Sequence, residues 1–458
     1  MEMEKKSPLI REGAAYDTLA KLFDENTFVE LGAYVGKAAY AGVVCGYGAV
    51  EGALTFAFVQ DFSRDKGAFG QAEAKKIVSL YELAAKSGAP VIGVFASAGA
   101  KIVEGDVALS AFGSVLTKVT ALSGIVPQIA VIDGICAGLN ATIASLFDVI
   151  VASEKCSFYV NPPFIQKSKG ALDAGTAVKA LENGLLDIVC EDPIAKAREI
   201  ISLLPQNNAQ GLAYSEAGDD LNRQTPEIAD MSATLDIVKA LTDCGRFEEW
   251  KASCAPEVHI GLAPLGGTTT GIIATDGEGY LTPKAARKIS SFLSFCDNYM
   301  IPVLTVVDTK GIDPSVDAEN APYASELSRL AASYASSTNA KVTLLVGKAY
   351  GAAYTLLGSK AVGADIVLAS DKAVISIMEP DAAVQFLYGQ DIKTPDDRAA
   401  KKAEWLENQA SPAAAAAIGD VDDIVESKEL RAKIISAFMT LWAKADDRLG
   451  KKHSKLPF

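Results

Sequence analysis

Short apolar runs and amphipathic stretches alternate along both halves of this chain. In the first half, 54–59 reads as a strand and 72–87 as a helix closed by Gly88 and Pro90. A second strand at 91–95, a second helix at 107–122 and a third strand at 128–132 follow. In the second half, 271–274, 303–307 and 342–346 read as strands, with helices over 283–299 and 324–337 between them. The strand runs are apolar throughout instead of alternating, as in strands covered on both faces. Their alternation with helices predicts parallel βαβ units and an α/β fold.

The two halves also share wording. Val131-Ile132-Asp133-Gly134-Ile135-Cys136-Ala137-Gly138-Leu139-Asn140-Ala141 is answered about 213 residues later by Leu345-Val346-Gly347-Lys348-Ala349-Tyr350-Gly351-Ala352-Ala353-Tyr354-Thr355. Each copy is a buried strand breaking into a glycine/alanine turn. Each leads on to a second apolar strand that opens with an aspartate, at Asp148 and Asp365. Ala89-Pro90-Val91-Ile92 and Ile301-Pro302-Val303-Leu304 are a further echo. A period this long excludes a solenoid and predicts two homologous domains. The polar, turn-rich stretch 205–232 is the expected linker, giving domains 1–225 and 226–458. The alanine run 413–417 reads as helix, and 427–447 as a closing amphipathic helix before a basic tail.

Composition narrows the function classes. With 458 residues, 49% apolar residues and 37 glycines, the chain can fill two cores and make many tight turns. A net charge of −14 argues against a nucleic-acid surface, which needs a basic stripe. Local backbone amides can still hold an anion. The start, Met1-Glu2-Met3-Glu4-Lys5-Lys6, carries no apolar signal core. The longest apolar region, 124–152, is interrupted by Pro127, Asp133 and Asp148. No uninterrupted run within it reaches the ~18 residues of a membrane helix, so no membrane insertion is expected. Seven cysteines without a Cys-x-x-Cys pair suit reduced thiols in the cytoplasm. Two histidines, His259 and His453, make a histidine metal site or a Ser-His-Asp triad improbable, and no metal is expected.

The candidate chemistry lies in the repeated turns. Gly138-Leu139 and Ala352-Ala353 fall where a strand gives way to a helix. Small residues there let a carbonyl approach the backbone, and adjacent N–H groups at a helix start can form an oxyanion hole. The same residues also suit close helix–sheet packing, and from the residues alone both readings stay open. Ser97-Ala98-Gly99-Ala100 also follows a strand, and Asp308-Thr309-Lys310-Gly311 is its counterpart. Asp308 is expected to cap a helix, and Lys101 and Lys310 to be solvated surface lysines.

Taken together, 28–31, 42–52, Gln60-Asp61-Phe62, 89–105, 124–148, 285–288, 295–297, 301–311, 348–365 and 452–457 resemble the carboxyltransferase component of biotin-dependent acyl-CoA carboxylases and decarboxylases. That resemblance implies two crotonase-like (ββα spiral) domains in tandem. It implies transfer of carboxyl between biotin, carried on a separate protein, and the α-carbon of a short-chain acyl-CoA. Gly138, Leu139, Ala352 and Ala353 would form the two oxyanion holes. Ser97, Ala98, Gly99, Ala100, Gly134, Ala137, Tyr350, Gly351, Tyr354 and Thr355 would line the substrate sites. The partners implied are a biotin carboxyl carrier protein and a biotin carboxylase, or the membrane subunit of a sodium-pumping decarboxylase. A hexameric homo-oligomer is also implied, with the active site between the first domain of one subunit and the second of its neighbour. The family's Gly-Pro-Cys-Ala-Gly-Gly stands here as Gly134-Ile135-Cys136-Ala137-Gly138-Leu139. Its Tyr-Asp after the second hole, at a position associated with acyl-chain choice, stands here as Tyr354-Thr355. Other readings are a stand-alone enoyl-CoA hydratase or isomerase and a degenerate, non-catalytic assembly subunit.

Overall fold

The computed structural model describes residues 11–36, 41–162, 165, 167–171, 173–213 and 218–446. The matching segment 452–457 and His453 lie outside them. The chain packs as two compact units, Met1–Gly211 and Leu212–Phe458. Each is built on one eight-stranded sheet.

In the first unit β1 (Val29–Leu31), β2 (Val43–Val50) and β3 (Ala53–Gln60) pair antiparallel. β4 (Val91–Ser97), β5 (Gln128–Ala137), β6 (Val149–Ser153) and β8 (Ile188–Cys190) then continue the sheet in parallel, and β7 (Ser157–Tyr159) pairs with the far end of β5. The second unit repeats this plan. β9 (Glu248–Trp250), β10 (Val258–Leu265) and β11 (Thr268–Thr275) are antiparallel. β12 (Val303–Thr309), β13 (Lys341–Tyr350), β14 (Ile366–Ser370) and β16 (Asp423–Val425) are parallel, with β15 (Val374–Ser376) on β13. The predicted α/β fold of two homologous domains is what the chain adopts.

The equivalence reaches single hydrogen bonds. Asp148 Oδ2 accepts the Gln128 N–H at 2.8 Å, and Asp365 Oδ2 accepts the Lys341 N–H at 2.8 Å. Asp187 Oδ2 takes the Ile150 N–H and Asp422 Oδ2 the Val367 N–H, both at 2.7 Å. Each carboxylate satisfies a backbone donor at a strand start, a charge-assisted bond worth roughly 1.5–3 kcal/mol. The β4/β5 and β12/β13 ladders also slip in register at matching points, after Phe95 and after Val307.

Helices cover the sheets where periodicity predicts them. α1 (Gln71–Ser87) buries Ala74, Ile77, Leu80, Tyr81 and Ala84, spaced for one helical face, and ends on Gly88 at φ 60°. α2 is Asp106–Leu122 and α3 is Leu139–Ala144. In the second unit α4 (Pro283–Asn298) starts behind Thr282, whose Oγ1 accepts the Ala285 N–H at 3.1 Å. α5 is Tyr323–Ser336 and α6 is Gly351–Leu356. α1 and α4 each bury a lysine that donates to the first part of a sheet strand. Lys76 Nζ reaches the Val43 carbonyl at 2.7 Å, and Lys288 Nζ reaches those of Val258, Cys254 and Lys251 at 2.5, 2.8 and 3.0 Å.

The hairpins β2/β3 and β10/β11, with β1 and β9 beside them, were only partly legible. β2 contains Gly46 and Gly48. Gly46 marks a close backbone approach and Gly48 a close approach of the Phe23 ring. A Cβ on Gly46 would lie 2.3 Å from the Val29 carbonyl oxygen, and one on Gly261 would lie 2.0 Å from that of Glu248. The alanine run is helical (Pro412–Ala417), and the closing helix is Leu430–Thr440. Two further helices, Pro380–Tyr388 and Pro395–Asn408, had no counterpart in the sequence reading. Within the linker stretch, Arg223 donates to the carbonyls of Ala240 and Thr242, and the Thr225 N–H to that of Lys428. Among the described residues no helix is long and apolar enough to cross a membrane.

Candidate active site

Both repeated motifs are strand, turn and helix. β5 ends at Ala137, Gly138 turns with φ 62° and ψ −130°, and α3 begins at Leu139. β13 ends at Tyr350, and Gly351 turns with φ 60° before Ala352 and Ala353. Gly351 is the first residue of α6, and its positive φ makes it the counterpart of Gly138. Leu139 then corresponds to Ala352 and Asn140 to Ala353. The Gly138 N–H is already donated to the Tyr159 carbonyl at 3.0 Å. The first-turn N–H groups of a helix have no acceptor within it. Leu139 and Asn140 supply these groups in the first unit, and Ala352 and Ala353 in the second. Ala352 is exposed and the Ala353 methyl is buried.

The neighbouring strands deliver matching loops to the same edge of each sheet, the C-terminal edge where α/β sheets bind ligands. After β4, Ala98 and Ala100 are exposed and Gly99 has φ 125°. The Ala98 N–H donates to the Lys66 carbonyl and the Gly99 carbonyl accepts from Phe69. After β12, the Lys310 N–H donates to Gly279, and the Gly311 carbonyl accepts from Leu281 in the same way. Ser97 pairs with Cys136 across the ladder and Thr309 with Ala349. Loop 98–100 and turn 138–139 thus share one end of the first sheet. Gly134 is half-buried with φ 131°, and Ala137 is buried.

In the second unit Tyr350 and Tyr354 are half-buried and Thr355 is exposed. The Tyr354 hydroxyl is buried and has no hydrogen-bond partner among the described residues. Burial, with Asp420 nearby, pushes its pKa up to about 12, so it stays protonated. Asp308 is not the expected cap. It lies inside β12, and its Oδ1 accepts the Lys348 N–H at 2.8 Å. Its carboxylate fills space left by Gly277 and Gly347, where a Cβ would come within 2.2 and 2.5 Å of it. Burial raises its pKa. The two lysines expected to be solvated are paired: Lys101 with Glu73 at 2.9 Å and Lys310 with Glu278 at 2.7 Å. Among the described residues no group of His, Cys, Asp or Glu could hold a metal ion.

One feature of the site escaped the sequence reading. The Gln60 Nε2 donates to Asn140 Oδ1 at 2.9 Å, and Asn140 Nδ2 donates to Ser97 Oγ at 2.9 Å. All three side chains are buried. The available signal was a polar residue set in an apolar run, one residue beyond the quoted turn.

Comparison with known proteins matches the chain to one family. The family model described as "Carboxyl transferase domain" matches residues 12–456. The methylmalonyl-CoA decarboxylase subunit alpha of Veillonella parvula is 34% identical, over 97% of this chain and 92% of that one. A putative propionyl-CoA carboxylase beta chain of Bacillus subtilis is 35% identical, over 97% and 93%. A crystal structure of transcarboxylase 12S, described as a hexamer assembly with methylmalonyl-coenzyme A and methylmalonic acid bound, superposes with a TM-score of 0.91. It is 31% identical and is matched over 97% of this chain and 92% of that one. With a family match over residues 12–456 and a superposition at a TM-score of 0.91 on a solved relative, this chain belongs to the carboxyl transferase domain family.

Proposed function

We propose that this chain transfers a carboxyl group between biotin, presented by a separate carrier protein, and the α-carbon of a short-chain acyl-CoA. The observation that carries the reading is the pair of equivalent turns. Each has a left-handed glycine followed by first-turn N–H groups at the open end of its sheet. The carboxyl carbon leaves the ureido nitrogen and bonds to the α-carbon, and the proton that carbon gives up balances the nitrogen left behind. Charge develops on the thioester oxygen as the α-proton leaves and on the ureido oxygen as the carboxyl leaves. N–H groups fixed by the fold stabilise such charge without reorganising. Leu139 and Asn140 in one turn, and Ala352 and Ala353 in the other, are the donors proposed. The first pair is set one residue beyond Gly138-Leu139 because the Gly138 N–H is engaged by Tyr159. The small residues Ala98, Gly99 and Ala100, and likewise Tyr350, Tyr354 and Thr355, are proposed to line the two sites. The reverse direction, decarboxylation, uses the same groups, and relatives of both kinds match alike, a decarboxylase subunit alpha at 34% and a carboxylase beta chain at 35% identity.

The proposal extends to a cytoplasmic homo-oligomer, a hexamer, whose sites join the first domain of one subunit with the second of its neighbour. It would work with a biotin carboxyl carrier protein and a biotin carboxylase, or with a membrane decarboxylase subunit. Support comes from the hexamer assembly of transcarboxylase 12S. Large apolar side chains left in the open also support it, among them Ile377 at 73% and Phe386 at 81% exposure. The seven cysteines form no disulfide in the structure, which suits a reducing compartment.

Proline at the first helical position removes an N–H with little harm to the helix. Leu139→Pro and Ala352→Pro therefore delete one proposed donor each. Transfer of carboxyl from methylmalonyl-CoA to free biotin should fall on the order of 10²–10³-fold in either variant. Wild-type rates in both folded variants would overturn the reading, and so would absence of transfer in the wild-type oligomer.

A further inference from the structure

The buried chain Gln60–Asn140–Ser97 runs across the ends of β3 and β4 to the second residue of α3. Gln60 Oε1 also accepts the Ala96 N–H at 3.1 Å, and Ser97 Oγ accepts the Gly99 N–H at 3.2 Å. Donors and acceptors alternate along it. Reversing the Gln60 amide would set its NH₂ against the Ala96 N–H, and reversing that of Asn140 would set two NH₂ groups together, so the pattern has one arrangement. The side chains are 4%, 0% and 0% exposed, where an unmatched polar atom is costly.

The second unit keeps the strand-end bonds and omits the link. The Asp308 N–H donates to Thr275 Oγ1 at 2.9 Å, as Ala96 does to Gln60. The Gly311 N–H donates to Thr309 Oγ1 at 3.4 Å, as Gly99 does to Ser97. At the position of Asn140 stands Ala353, whose methyl can bond to neither. Among the described residues only the first turn is therefore tied by such a side-chain link to the strands beside it.

We infer that Asn140 is a positioning residue that holds the Leu139 N–H and the loop Ala98-Gly99-Ala100 as one rigid body, making the first oxyanion site pre-set and the second adjustable. The inference rests on the carboxyl-transfer reading of these turns. The Asn140 side chain acts indirectly, through the tilt of α3 and the seat of the loop, while its own N–H is one of the proposed donors. Small errors in such geometry are expensive, since a shift of about 1 Å can cost on the order of 10²-fold in rate.

The test uses the full-length oligomer carrying Asn140→Ala, Ser97→Ala and both together. Each single variant should lower kcat for carboxyl transfer to free biotin about tenfold, with KM for the acyl-CoA within about twofold. The double variant should be no worse than the poorer single one, because both cut the same link. Amide hydrogen exchange in peptides covering 96–104 and 138–146 should speed up, and that over 350–358 should stay unchanged. Unchanged exchange at 96–104 and 138–146 in a folded variant overturns the inference, whatever happens to kcat. Unchanged kcat, or multiplicative losses in the double variant, also overturns it. If Asn140→Ala does not fold, Ser97→Ala decides alone. Leu139→Pro separates the two levels: when it lowers transfer on the order of 10²–10³-fold while Asn140→Ala leaves kcat unchanged, the positioning role fails and the site reading stands.

Discussion

Gly138 and Gly351 turn the backbone with nearly the same left-handed φ, 62° and 60°, at the same point of the two halves. Each ends a long parallel strand and aims the first N–H groups of a short helix out of the sheet edge. The site geometry therefore rests on two residues that have no side chain.

Replacing either glycine by alanine tests this. Nothing lies within 4 Å of a Cβ built on Gly138, so the cost there is conformational, not steric. A non-glycine residue in such a region costs on the order of 1–3 kcal/mol. On Gly351 a Cβ would also meet the Ile377 carbonyl oxygen at 3.3 Å. Both variants should show lower urea midpoints and weaker carboxyl transfer. A neutral Gly138→Ala in both assays would mean that the turn does not depend on its left-handed conformation.

Gly261→Ala is expected to be far more harmful. Its methyl would sit 2.0 Å from the Glu248 carbonyl oxygen, so β9 could not keep its place on β10. The loss should reach or pass the ~3 kcal/mol upper end of ordinary overpacking. Gly113→Ala is the control. Gly113 lies within helix α2 with open space around it, so alanine should stabilise by about 0.5–1 kcal/mol. Comparison of the two chemical-denaturation curves decides, and equal effects would refute the close-approach argument.

Lys288 gives a pH signature. Burial pushes its pKa down to about 8, even with backbone carbonyls around the ammonium. Below that value both folded and unfolded chains hold the proton, and the buried charge weighs fully against the fold. Between about 8 and the ordinary 10.5 the unfolded chain keeps a proton that the folded chain has shed, so this group makes stability rise with pH. The slope is at most roughly 1.4 kcal/mol per pH unit. Other groups titrate in the same window, so the informative quantity is wild type minus Lys288→Met. A difference that is flat from pH 8 to 10 would sink the assignment.

Thr355 should tune acyl-chain choice. It is exposed, two residues beyond Ala353, where the resembling propionyl-type enzymes carry aspartate. Changes of this size in a pocket are worth about 1–3 kcal/mol, so ratios should shift without an absolute switch. The readout is kcat/KM for acetyl-, propionyl- and butyryl-CoA in wild type, Thr355→Asp and Thr355→Ile. Identical ratios in all three proteins would leave Thr355 a surface residue only.

The sequence by itself determined the duplication, the α/β class, the parallel strands and both turns. Apolar runs such as 91–95 and 303–307, helical faces such as Ile77, Leu80 and Ala84, and the repeated Gly138 and Gly351 are local signals, legible because each depends on neighbours in the chain. Tertiary structure decided what depends on residues far apart. Nothing local explains Gly46; the Val29 carbonyl, distant in the chain, passes against it. Asp308 reads as a cap until Lys348 claims its oxygen, and Lys101 and Lys310 read as solvated until Glu73 and Glu278 pair them. The Gly138 N–H counts as a free donor until Tyr159 accepts it. Asn140 is one polar letter in an apolar run until Gln60 and Ser97, distant in sequence, close around it. Hydrogen bonds and backbone contacts act over ångströms of space whatever the chain separation, so pattern and composition found the site while only the packed chain decided which of its groups were available.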